Sequence, residues 1–219
     1  MIEETRFEKL FSTPLLRFEA ANHAQLSREL LAEAKRMRAE DRGVEKSNRC
    51  GWHSTGNLFD RDADCIVELR VAVEMAVFAA TRKIKAKVDP SELRLKLFAW
   101  MNANPQGGYN APHTHPGAHW SGVYYVSQPE IETGDSGMIE FIAPRTDLSH
   151  WGILDASPFR LKRRLRPRAG ELVLFPSYLL HWVYPNEADE DRVTIAFNAT
   201  FKKPLKSDRA EKIEPILFP

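Results

Sequence analysis

Two textures of hydrophobic and polar positions divide the chain near residue 92. Before that point apolar residues recur at helical spacing. Leu26, Leu30, Leu31, Ala34 and Met37 share one face and predict an amphipathic helix that stops near Gly43. Ile66, Leu69, Val73, Val77 and Phe78 predict a second helix from about Asp64 to Lys85, with Asp62 or Asp64 to cap its start and Asp89-Pro90 closing the region. From Leu93 onward, short β-rich segments alternate with turn residues. Strands are predicted near Leu95–Asn102, Tyr109–His115, Trp120–Ser127, Met138–Ala143, Glu171–Phe175 and Val193–Thr200. Pro105-Gln-Gly-Gly108, Thr133-Gly-Asp-Ser-Gly137, Arg168-Ala-Gly170 and Asn186–Asp191 separate them as turns. Helices first and strands afterwards describe a mainly β protein with supporting N-terminal helices, built as an antiparallel sandwich or barrel and not as a βαβ array.

Composition narrows this picture without redirecting it. A chain of 219 residues suits one domain: a helical support region over 1–92, a β core over 93–205 and a C-terminal tail over 206–219. A domain of that size buries a core without disulfides, and Cys50 and Cys65 lack a CxxC spacing, so reduced thiols are expected. The net charge is +1, from 31 Lys+Arg against 30 Asp+Glu, which gives no reason to expect nucleic acid. The first residues carry no apolar leader, and apolar runs such as Ala76–Ala80 are far too short for a membrane span. A cytoplasmic protein is therefore expected. One stretch, Arg160–Arg168, has Lys or Arg at six of nine positions. It reads first as a solvated hairpin or loop, and alternatively as a contact surface for an anionic substrate or partner. No GxGxxG or Walker sequence follows a strand, and no Gly-x-Ser-x-Gly suggests a protein nucleophile.

The chemistry concentrates in four histidines of the β region. Residues two apart on a strand project from one face, so Asn110-Ala-Pro-His-Thr-His115 aims His113 and His115 into the same space. His181 follows a turn glycine, a buried strand and a proline bend in Gly170–His181, and can supply a third ligand from a second strand. Three such groups make a facial triad with positions open to substrate and oxygen, although imidazole alone does not choose among iron, zinc, copper and nickel. His119 reads as a loop neighbour; His23, His53 and His150 read as surface or satisfied core groups. Arg192 opens the strand Arg192–Asn198, eleven residues after His181, and shares a strand face with Thr194. A guanidinium fork matches a carboxylate, so this pair could hold an acid; a bland solvent-facing Arg paired with Asp189 or Asp191 is the competing reading.

Taken in order, Trp100–Asn104, His113-Thr-His115, Ser121–Val126, Gly137–Phe141 with Pro144-Arg145, Gly170–Ser177, His181 and Arg192-Val-Thr194 resemble the 2-oxoglutarate/Fe(II)-dependent oxygenase superfamily, specifically a group defined mainly by sequence. The resemblance covers roughly Leu97 to Phe201, with fainter echoes at Phe11–Pro14 and Gly51–Ser54. It implies a double-stranded β-helix barrel of jelly-roll or cupin type, with Fe(II) and 2-oxoglutarate as cofactor and co-substrate. It implies that His113 and His181 are iron ligands, that Arg192 and Thr194 hold the distal carboxylate of 2-oxoglutarate, and that Tyr125 assists them. Asn102 and Asn110 fall where relatives carry polar groups near the chelating end. One position departs from the superfamily's pattern: the second ligand is usually a carboxylate two residues past the first histidine, and His115 stands there. A second register would make His115 the first ligand and leave Gly117 in the carboxylate position; the first register keeps a coordinating side chain at both positions.

The implied activity is hydroxylation of an unidentified small molecule or peptide. Its rivals are a three-histidine cupin-type dioxygenase that ignores 2-oxoglutarate, and a non-catalytic module that binds metal or a small acid. Trp120, Tyr124, Trp151 and Trp182 are candidate substrate-facing aromatics, although such residues are more often core or rim packing than specificity elements. Helical faces on antiparallel barrels often pair, which leaves a homodimer open.

Overall fold

The computed structural model describes residues 11–131, 134–145, 153 and 156–204. In chain order its elements are β1 (Leu16–Glu19), α1 (His23–Glu40), β2 (Asn48–Arg49), β3 (Trp52–His53), α2 (Asp64–Lys83), β4 (Arg94–Asn104), β5 (Tyr109–His113), β6 (Trp120–Ser127), β7 (Ile139–Ile142), β8 (Lys162–Leu165), β9 (Glu171–Pro176), β10 (His181–Val183) and β11 (Arg192–Lys202). The strands form two antiparallel sheets, β1-β9-β6-β11-β4-β3 and β2-β5-β10-β7-β8. From β4 to β11 the chain alternates between them except at β7 and β8, which are neighbours in one sheet, and this is the double Greek-key order of a jelly roll, the double-stranded β-helix. Among the described residues no strand hydrogen-bonds into both sheets, so the barrel is an open sandwich and not a closed ring.

Strand alternation explains the layering. Along β11, Val193, Ile195, Phe197 and Ala199 join Ala99, Met101, Tyr124, Leu172 and Leu174 against the helices. Leu26, Leu30 and Met37 of α1 and Ile66, Leu69, Val73 and Val77 of α2 complete that core. The alternate positions of the same sheet, including Tyr125, Val173 and Phe175, pack against Ile139, Phe141, Leu165 and Val183 of the second sheet. Both helices thus buttress the six-stranded sheet from behind and leave the space between the sheets for the site.

Several expectations are corrected. The cap of α2 is Ala63, without a side-chain bond; Asp64 instead lies in the first turn, where its charge suits the helix dipole. The run Arg160–Arg168 is not a loop throughout, because Lys162–Leu165 form β8 against β7. His181 begins a separate strand, β10, beyond Pro176, and does not end the strand before it. Strand β5 stops at His113, two residues short of the expected end, yet the His115 N–H still donates to Ser177 O at 3.0 Å and keeps the segment extended. Cys50 and Cys65 are both free thiols. No helix of the described residues is long and apolar enough to cross a membrane. His150, Trp151 and the tail 206–219 lie outside the described residues.

Candidate metal centre and co-substrate pocket

Strand β10 lies between β5 and β7, and His181 pairs directly with His113 of β5. His115, two residues on, folds over the same spot. The three rings lie 4.8 Å (His113–His115), 4.4 Å (His113–His181) and 5.2 Å (His115–His181) apart between centroids. One nitrogen from each falls within 4.8 Å of the others. His113 Nδ1 lies 2.7 Å from Ala111 O and His181 Nδ1 lies 2.8 Å from Leu179 O. A carbonyl oxygen only accepts, so both Nδ1 atoms carry the proton and both Nε2 lone pairs are free. That is the arrangement by which a metal-binding histidine is oriented from its far side.

The electrostatics favour neutral imidazoles. Burial, reinforced by the neighbouring His113 and His115, pushes His181 down to about 3. Burial and then His113 push His115 down to about 4, and burial lowers His113. Near neutral pH all three therefore present unprotonated nitrogen. Three neutral nitrogens on one face of a cavity form a donor set suited to a first-row divalent ion, Fe(II) among them.

The cavity beside them is lined by Asn102, Asn110, Tyr125, Arg192 and Thr194 together with the three histidines. Arg192 is 2% exposed, and no carboxylate pairs with it among the described residues. The bland reading, a solvent-facing Arg paired with Asp189 or Asp191, is excluded: Arg192 is buried, Asp189 accepts from Gln106 and Asp191 pairs with Arg38. Burial lowers the Arg192 pKa, opposed by Tyr125, whose ring centroid lies 5.2 Å from the guanidinium carbon. Tyr125 is itself pushed up to about 12 by burial, opposed by the adjacent Arg192 guanidinium, with which its hydroxyl makes no well-aligned hydrogen bond. Among the described residues Asn102 Oδ1 is also buried without a partner. Asn110 is engaged, accepting from Asn104 Nδ2 at 3.0 Å and donating to Ser47 Oγ at 3.4 Å. A buried cation and a buried hydroxyl without a well-formed bond call for an anionic occupant, and the unpartnered amide oxygen beside them calls for a donor.

Three contributors escaped the sequence reading. Gln128 Oε1 accepts from Arg192 Nε at 2.9 Å and fixes the guanidinium. Trp100 packs against His115 at 5.6 Å and carries His53 stacked on its other side at 5.7 Å. Ser47 reaches the cavity from the segment before β2. Of the candidate aromatics, Trp120, Tyr124 and Trp182 pack away from the cavity, in line with the packing reading. Trp120 donates to Thr81 Oγ1 on the helical side, Tyr124 is buried in the same core, and Trp182 donates to Glu140 on the outer face. His119 stays outside the triad, accepting from the Phe201 N–H at 3.2 Å.

Comparison with known proteins agrees with this geometry. Residues 98–198 match the family described as "Putative 2OG-Fe(II) oxygenase", so that segment is similar to the 2-oxoglutarate/Fe(II)-dependent oxygenases. No curated protein matches the sequence. Among solved structures, a prolyl-4-hydroxylase from Pseudomonas putida is similar with a TM-score of 0.63 at 18% identity, over 90% of this chain and 96% of that one. The epimerase SnoN in complex with Fe3+, alpha-ketoglutarate and nogalamycin RO gives 0.60 at 14% identity, over 94% of this chain and 87% of that one. HygX from Streptomyces hygroscopicus, with nickel, 2-oxoglutarate and hygromycin B bound, gives 0.57 at 14% identity, over 86% and 83%. At such identities the likenesses establish the double-stranded β-helix fold, while the family match carries the use of Fe(II) and 2-oxoglutarate.

Proposed function

We propose that this oxygenase hydroxylates a small molecule or peptide, with Fe(II) on His113, His115 and His181 and 2-oxoglutarate on Arg192, Thr194 and Tyr125. The observation that carries the reading is Arg192, a buried guanidinium with no carboxylate of its own. An unpaired buried charge is costly, and a co-substrate carboxylate would remove that cost on binding. Thr194, on the same strand face, and the Tyr125 hydroxyl are placed to donate to the same acid. Asn102 and Asn110 line the pocket and suit the chelating end of the co-substrate. With 2-oxoglutarate and oxygen, bound iron supplies the oxidising power for hydroxylation, releasing succinate and carbon dioxide. The protein's own part is to hold three imidazoles in fixed tautomers, orient the acid, and exclude water from the narrow space between the sheets.

Titration of 2-oxoglutarate into anaerobic, Fe(II)-loaded protein tests the reading by calorimetry. Binding that vanishes on removing iron or on Arg192→Ala is the expected result. Iron binding without any 2-oxoglutarate heat would instead favour a three-histidine dioxygenase that takes its substrate directly.

A further inference from the structure

We infer that the prime substrate carries a carboxylate and that Arg163 on β8 binds it, a reading that rests on the oxygenase assignment above. His113, His181, Phe141 and Arg163 are successive register partners across β5, β10, β7 and β8. Directly opposed residues of antiparallel strands share a face, so Arg163 rises from the same face as the two histidines. The neighbouring positions confirm the alternation. Arg164 and Lys162 turn to the outer face and bind Glu140, and Leu165 packs inward with Phe141. Within the run Arg160–Arg168, Arg164 is also paired with Asp135, and Arg166 donates to Ser136 O and Gly134 O. Arg163 is exposed and forms no hydrogen bond or ion pair among the described residues. It is a free guanidinium on the concave face.

Distance and charge then select the ligand. Two strand spacings separate the backbones of His181 and Arg163, about 10 Å, roughly the extended length of three residues. A molecule of amino-acid to tripeptide size can therefore touch both the metal centre and Arg163. Among the described residues no Asp or Glu lines the cavity, and Arg192 is the one charged residue that does. With three neutral ligands, a divalent ion and a dianionic co-substrate cancel, and the Arg192 charge is left over. A cationic substrate group would be repelled from that pocket and from Arg163. A carboxylate is attracted by both and matches the planar fork of arginine.

The test uses N-acetyl amino acids and N-acetyl tripeptides, each as the free acid and as the C-terminal amide. Their binding to protein loaded with Zn(II) and 2-oxoglutarate is measured by ligand-observed NMR and calorimetry. Acids are expected to bind and amides to bind at least about tenfold more weakly. Arg163→Gln should erase that difference and Arg163→Lys should restore part of it. The two series tell a free amino-acid-sized acid from a chain terminus. Failure of every acid to bind, or equal binding of acids and amides, or acid binding unchanged in Arg163→Gln, overturns the proposal. The 2-oxoglutarate affinity of the same samples reads the parent assignment separately: it should be unaltered in all Arg163 variants, and its absence from wild type would sink the oxygenase reading alone.

Discussion

His115 stands where an anionic ligand would offset the charge of a divalent ion, and its replacement separates the two ligand registers. If His113, His115 and His181 are the ligands, His115→Asp keeps Fe(II) bound, because an anionic oxygen replaces a neutral nitrogen against the cation. His115→Ala should weaken binding more than His115→Asp. His113→Ala and His181→Ala should each cost more than the 10–100-fold typical of groups that merely support a ligand. Equilibrium dialysis against Fe(II) reads all four, and an indifferent His113→Ala would transfer the triad to the other register. At the other end of the pocket, Arg192→Ala should weaken 2-oxoglutarate binding by about 2–5 kcal/mol while leaving iron in place. Gln128→Ala should cost less, because it frees the guanidinium without removing it; calorimetry ranks the two. The histidines and Arg192 were legible in the chain because period-two spacing on a strand is a local signal. Trp100 could have been read in the same way, two residues before Asn102 on β4, but Gln128 and Ser47 could not: they reach the site through strand pairing or a loop path, and no local pattern marks a glutamine that will meet an arginine 64 positions later.

Elements were legible in proportion to their length. The two helices and the long strands β4, β6 and β11 carry enough periodic positions to be read directly, whereas β1, β2, β3, β8 and β10 span two to four residues each. Strand β8 was further disguised by charge, since its lysine and arginines lower the intrinsic preference for a strand. What overrides that preference is Glu140 on β7, fully buried and bound by Arg164 Nε at 2.8 Å, Trp182 Nε1 at 3.0 Å, Tyr184 OH at 3.0 Å and Lys162 Nζ at 3.2 Å. Burial alone would raise the Glu140 pKa, but those donors outweigh it and bring it from the ordinary 4.5 to about 2. A carboxyl depressed in the folded state takes up its proton more readily when unfolded. Its stabilisation is therefore present above pH 4.5 and is lost as the pH falls towards 2. Chemical denaturation across that window should show wild type losing stability more steeply than Glu140→Gln. Parallel curves would mean that Glu140 does not hold β7, β8 and β10 together. On β6, close approach sets the constraint: a Cβ on Gly122 would overlap the ring of Phe197, which has no exposure. Gly122→Ala should cost about 1–3 kcal/mol as an overpacked core, measured by urea unfolding.

At the scale of the whole molecule, the three layers separate the work of folding from the work of binding. Helices α1 and α2 bury Leu30, Ile66, Val73 and Val77 against one face of the six-stranded sheet, and the histidines occupy the space beyond its other face. Ile66 has no exposed surface and belongs to the core between the helices and the six-stranded sheet. Ile66→Ala should therefore cost about 2–5 kcal/mol of stability, the range for emptying a buried aliphatic site. Its Fe(II) affinity per folded molecule should stay within a factor of about two, since distant sites without shared partners act independently. Phe175 lies on the opposite side of the same sheet, 4.7 Å from the His181 ring and 4.9 Å from Phe141. Phe175→Ala should cost about 3–5 kcal/mol and also loosen His181, so that iron affinity falls with stability. Thermal unfolding paired with Fe(II) dialysis on the two variants distinguishes them. Equal loss of iron from both would mean that the helical layer shapes the metal centre directly, and the division of labour between the two faces of the sheet would have to be abandoned.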